Sequence, residues 1–222
     1  MQDHLPILRK VGKVLIAVGL LDIGVMIYCI TNGISYSSSI NIFAVIAGIF
    51  LLRGSLRAVA IVTWFGIFLV SCLSCLVFLW PFFQPIELTF LQIKLNPPFF
   101  GISLTICITF LGVIWWVVHE LRREQVLAAR MQAGSKVSSP RIPAGFGVVL
   151  VVVLLIVVQF SLNGDTAQHV KQMAIKELGA GYKYNVNSIN IVQNSQGKFV
   201  SASVTAYNEK EIRVIPVKWE EK

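Results

Sequence analysis

Asp22 is the one carboxylate well inside a long apolar run, roughly 17 Å from the start of that run at the usual helical rise. An ionisable group at that depth is costly. An acid held there serves a proton or ion path, contact with a partner protein's helices, or a hydrogen bond that fixes helix packing. No Lys or Arg stands at a matching depth in any other run, so hydroxyls such as Thr63, Ser71 or Thr109 are its expected partners. The packing bond is the expected role of Asp22. Cys72 and Cys75 form a C-x-x-C whose members share one helical face, the spacing of a dithiol redox or metal pair. Such pairs draw reactivity from helix N-termini or nearby cations that lower the thiol pKa. Mid-run neither is present, and the two cysteines are expected to be small packing residues. His4 and His119 are expected on the cytoplasmic side and His169 in the exported tail, so the three are not expected to share a site. With no nucleophile–base–acid set at recognisable spacing, the expectation is a chain that is not an enzyme and binds no metal or cofactor.

These residues sit on five apolar runs: Val11 to Ile30, Ile40 to Leu52, Ala58 to Trp80, Phe99 to Val118 and Phe146 to Leu162. About 20 apolar residues suffice to cross a hydrocarbon core of about 30 Å. The second run reaches that length only if Ile34 to Ser39 join its helix. Charged residues make up 14% of the chain, against about 25% in soluble domains, so most of it belongs in lipid. The net charge of +8 does not point to nucleic acid, because the basic residues flank the apolar runs and form no single face. Small residues offer close helix approach at Gly19 and Gly24 in the first run and at Ala44 and Gly48 in the second.

Proline interrupts residues 81–98, which are expected to lie along the membrane interface after a helix that stops at Pro81. Residues 121–131 are helix-forming throughout and are expected to project beyond the membrane. The fifth run, mostly valine and leucine, reads as a lipid-facing anchor without specific packing. Lys and Arg crowd the N-terminus, the 53–57 turn and the 119–144 segment, whereas 31–39 has none and 81–98 only Lys94. That alternation predicts a multi-pass inner (plasma) membrane protein with a cytoplasmic N-terminus and an exported tail.

From Asn163 the composition becomes that of a soluble domain. Asp165 or Thr166 is the expected cap of a helix with Ala167, Val170, Ala174 and Leu178 on one face, ended by Gly179. Strands are expected over 183–192, 198–207 and 212–219, the last pushed to a sheet edge by Pro216.

The predicted fold is therefore membrane α-helical, with five transmembrane helices plus a small C-terminal α+β domain in which one helix packs on a three-stranded antiparallel meander. The expected domains are 1–133, a linker at 134–145, an anchor at 146–162 and an extracytoplasmic unit at 163–222. The expected function is presentation of that unit to another envelope protein or a second copy, through Phe199, Tyr207 and Pro216, in an accessory or assembly role. A transporter or channel component built on Asp22 is the alternative. The expected partners include the lipid bilayer but no nucleic acid. An anchor followed by a small helix-plus-meander domain is similar in shape to cytochrome oxidase assembly proteins of the Coa-one type. The likeness covers only the fifth run and the tail, and no residue role is carried from it.

Overall fold

A computed structural model describes residues 4–34, 36, 40–135, 139–179, 181–194 and 197–221. Among the described residues eight helices and three strands follow in order: α1 Leu5–Thr31, α2 Ile40–Leu52, α3 Leu56–Phe83, α4 Ile86–Leu95, α5 Pro97–Leu121, α6 Glu124–Gln132, α7 Arg141–Asn163, α8 Asp165–Leu178, β1 Lys183–Asn194, β2 Gly197–Tyr207 and β3 Ile212–Glu221. Among the described residues, α1, α3, α5 and α7 are the four helices long and apolar enough to cross a membrane. They carry large side chains outward, such as Leu21, Ile61 and Phe78, with no protein covering them. In water that exposure would be prohibitive, whereas in lipid it costs nothing.

Among the described residues the second run does not reach spanning length. At 13 residues, α2 measures about 20 Å. Ile34, expected to extend it, instead closes the end of α1: its N–H bonds to the Cys29 carbonyl while Gly33 bonds to Ile30. Positions 35 and 37–39 lie outside the described residues. The same cap ends α2, where Gly54 at φ +76° bonds to Leu51 and Ser55 bonds to Phe50. A side chain at that φ is strained by about 1–2 kcal/mol. Gly54→Ala should therefore lower the unfolding midpoint of the protein in mild detergent by a few degrees, read by circular dichroism. An unchanged midpoint would mean that this turn relaxes at no cost.

The chain forms two compact units, residues 1–73 with 109–147, and residues 74–108 with 148–222. In the first, α1 and α2 cross at glycine. A Cβ on Gly12 would lie 2.7 Å from the Gly48 carbonyl oxygen, and one on Gly48 would lie 2.7 Å from that of Gly12. A buried cluster joins Leu8 and Val11 of α1, Leu51 of α2, Val59 of α3, Val117 and Leu121 of α5, and Val126 of α6. The last of these overturns an expectation. Instead of projecting outward, the 121–131 stretch breaks at Arg122–Arg123, where Arg123 is extended at ψ 147°. It restarts as α6 and folds back, because Val126 and Arg130 are buried in the bundle. The fifth run also packs more specifically than its composition suggests. Gly147 lets α7 approach α3 so closely that a Cβ there would meet the Phe68 carbonyl oxygen at 2.8 Å.

In the second unit α3 runs past Pro81 to Phe83. One proline near a helix end removes a single hydrogen bond, and the stop comes at Gln84, which precedes Pro85. Pro97 then opens α5 at the position where a missing N–H is harmless. Strands β1, β2 and β3 pair antiparallel in that order, with a bulge between Val186 and Ser188. Helix α8 begins after Gly164, not at a side-chain cap, and Asp165 lies in its first turn, where the helix dipole favours a negative charge. Its Ala167, Val170 and Ala174 are buried against Val186, Ala202, Val204, Ala206, Ile215 and Val217. On the other side of the sheet a second helix appears: Leu88 and Leu91 of α4 cluster with Tyr207 and Ile212. The 81–98 segment is thus a docked helix, and α8 is not the only helix the sheet carries.

Candidate functional site

The face of the sheet opposite α8 is where exposed chemistry concentrates. In β2, Val200, Ala202, Val204 and Ala206 point toward α8, so alternation sends Phe199, Ser201, Ser203, Thr205 and Tyr207 the other way. That row divides into two halves. Tyr207 is only 6% exposed because α4 covers it, and Thr205 is buried with its hydroxyl bonded by Asn187 at 2.6 Å. Phe199, Ser201, Val192 and Val214 remain open, Val214 being 64% exposed. Pro216 is exposed on β3, an edge strand that pairs only with β2 in the sheet. A shallow groove of about 220 Å³ runs past Asn190, Phe199, Ser201 and Lys218. Of the three residues proposed from the sequence for partner contact, Phe199 and Pro216 lie on open surface and Tyr207 lies under α4.

An ion pair from Lys183 of β1 to Glu87 of α4 closes that covered end. The hydrogen bond and charge of Glu87 hold the Lys183 pKa above the ordinary lysine value. Burial, and then the Glu87 charge, raise the Tyr207 hydroxyl in the same way. Both Lys183 and Glu87 are well exposed, so the pair orients the helix more than it stabilises it. The apolar contacts carry the docking. Elsewhere on the sheet, the Asn208 side chain accepts the N–H groups of Lys210 at 2.9 Å and Glu211 at 3.0 Å. This turn passes the chain into β3.

No known protein family, curated protein or solved structure matches this chain.

Asp22 accepts a hydrogen bond from the Tyr36 hydroxyl, a residue of the loop after α1 and not one of the hydroxyls expected from neighbouring spans. Of those, Thr63 lines a cavity in the first unit and Ser71 faces Gly147. Among the small residues, Gly48 is at a helix crossing and Gly19 is buried. Ala44 is half-buried, and nothing approaches a Cβ on Gly24 within 4 Å. The Cys72 thiol is buried 3.4 Å from the Gly147 carbonyl, which it can address as a donor, while Cys75 is half-buried on the same helix. Among the described residues no three His, Cys, Asp or Glu side chains are grouped to hold a metal ion.

Glu120 does not stand out in the sequence. Its side chain is 4% exposed, held by Arg123 through Nε and Nη2, each 2.9 Å from a different carboxylate oxygen. Lys10 of α1 lies 3.6 Å from the same carboxylate and 5.1 Å from the Trp116 ring. The available signal was the spacing of Glu120 and Arg123, which are neighbours on one helical face.

Proposed function

We propose that this is a non-enzymatic, multi-pass inner-membrane protein that presents its C-terminal sheet outside the cytoplasm to another envelope protein or to a second copy of itself, in an accessory or assembly role. The observation that carries the reading is the set of exposed apolar residues on this sheet face, Val192 and Phe199 paired across β1 and β2 and Val214 on β3, beside an open edge strand. Edge strands offer backbone donors and acceptors, and adjacent apolar side chains supply selectivity, the usual ingredients of strand-wise recognition.

Topology supports the placement. The Leu8 cluster gathers the N-terminal turn of α1, the end of α2, the start of α3 and the end of α5, so these belong to one side of the bilayer. Arg9, Lys10, Lys13, Arg53, Arg57, Arg122, Arg123 and Arg130 lie in those segments or follow them directly in the chain. Positive charge of that kind marks the cytoplasmic side. Helix α4 and the sheet pack together, so they share a side too, and the α4 connection carries only Lys94. The five-span arrangement follows if α2 completes its crossing with the preceding loop. An odd number of crossings then exports the tail.

The bond from Tyr36 favours a packing role for Asp22 over a transport path, because it ties α1 to its own following loop.

A photo-crosslinking side chain at Val214 in the full-length protein should yield one discrete adduct in membranes, and one at Gln172 on the exposed side of α8 should not. An adduct of twice the chain mass would identify a second copy as the partner. Equal or absent adducts from the two positions would sink the presenting-surface reading.

A further inference from the structure

In the first unit, α3, the Arg122 turn, α6 and the chain entering α7 line an open cavity of about 450 Å³, within the range of about 300–1,000 Å³ typical of small-ligand sites. Its lining has two unlike parts. Arg122, Arg130, Ser139 and Thr63 supply the polar end, while Trp64 and Phe65 form a half-exposed aromatic wall on the lipid-bearing surface of α3. No carboxylate is among the described lining residues. Arg130 is only 5% exposed, and the buried Thr63 hydroxyl has no hydrogen-bond partner among the described residues. Burial, and secondarily the charge of neighbouring Arg122, hold the Arg130 pKa below the ordinary arginine value. The guanidinium remains a cation even so, since its ordinary value lies far above physiological pH.

Arg122 and Arg130 together make this end of the cleft strongly positive, a field that draws an anion. Arg122 follows directly on α5, which ends at Leu121, so the charged end lies where a span leaves the membrane. Thr63 is roughly 10 Å along α3 from Leu56, the depth at which headgroup gives way to acyl chain. A free anion would use the arginines alone. A lipid uses both ends: phosphate oxygens at the guanidinium groups and the Thr63 hydroxyl, and an acyl chain along Trp64 and Phe65. We propose that this cavity is a binding site for the phosphate headgroup of an anionic phospholipid, gripped by Arg122 and Arg130. Guanidinium groups bind phosphate through paired N–H donors, and a basic recess between spans concentrates that attraction.

Native mass spectrometry of the full-length protein released from nanodiscs of equimolar phosphatidylglycerol and phosphatidylcholine tests the assignment. The protein should retain phosphatidylglycerol preferentially. Arg122→Gln should reduce that preference about tenfold, the loss expected for one charge-assisted phosphate contact. Arg53→Gln, which removes a turn arginine outside the cavity, should leave it unchanged. Arg130→Lys serves as the second cavity variant if loss of the buried charge prevents folding. It keeps the charge but loses the bidentate grip, and should lower the preference as well. Equal retention of the two lipids, or an Arg122→Gln protein as selective as the parent, would overturn the proposal. Displacement of phosphatidylglycerol by millimolar inorganic phosphate would also overturn it, assigning the cavity to a soluble anion.

Discussion

Gly48→Val should unfold the α1–α2 hairpin or force it into a different packing, at a cost of about 3 kcal/mol or more. The geometry leaves no cheaper outcome. A first carbon on Gly48 would lie 2.6 Å from Ile16 Cγ1, 2.7 Å from the Gly12 carbonyl oxygen and 3.1 Å from the Ile16 nitrogen. Two of those neighbours are backbone atoms, which cannot rotate aside, and valine adds two further methyl groups. The helices must move apart, and the dispersion contacts that hold them in lipid fall steeply with distance. Gly12→Val meets the mirror of the same obstacle, at 2.7 Å from the Gly48 carbonyl oxygen. Gly24→Val is the control, since nothing approaches within 4 Å there. The measurement is the thermal midpoint of each variant in one mild detergent. A Gly48→Val protein that melts with the parent would show that the crossing is not a close contact in the folded protein.

Arg123→Ala should destabilise the protein by about 2–4 kcal/mol, more than Glu120→Gln does. The asymmetry follows from where the charges lie. The Glu120 side chain is 4% exposed, whereas those of Arg123 and Lys10 are 50% and 61% exposed. Removing Arg123 strips the bidentate partner from a buried carboxylate and leaves only Lys10, at 3.6 Å, to compensate. Glu120→Gln, in contrast, leaves two cations already in contact with water, and each regains hydration at little cost. The double variant should recover part of the Arg123→Ala loss, because the carboxylate that suffers is then gone. Unfolding free energies for the two single variants and the double variant complete the cycle. If Glu120→Gln proves as damaging as Arg123→Ala, the carboxylate is not the buried member of the cluster.

What could be read in the sequence, and what could not, follows from the distance over which each feature is decided. Lipid demands long uninterrupted apolar helices, so α1, α3, α5 and α7 announce themselves within one window each. The alternation of Val200, Ala202, Val204 and Ala206 is equally local, and all four are buried against α8 as their spacing predicts. Pro216 placed β3 at an edge for a reason internal to proline. The failures are contacts between remote segments. Tyr207 shares a face with Phe199 by simple alternation, but nothing near it reveals that Leu88 and Leu91 cover that end alone. Gly12 stands outside any small-xxx-small pattern with Gly19 or Gly24, and its role appears only when Gly48 is brought opposite. The same holds for α6. A polar helix-forming stretch projects into water or folds back according to whether a partner waits for Val126, and that partner comes from α1, α2, α3 and α5.

The docking of α4 beneath Tyr207 and Ile212 also sets a timetable for synthesis. Leu95 ends α4 and Ile212 opens β3, so at about 5–20 residues per second the ribosome needs roughly 6–25 s to make the stretch between them. Throughout that interval Leu88 and Leu91 have no sheet to cover them, while α5 and α7 are still being threaded into the bilayer. The docking surface is completed only when β3 arrives. Maturation of this unit is therefore gated by the arrival of β3, and a ribosome that stalls before it leaves behind an inserted but unfinished molecule with an apolar helix bare.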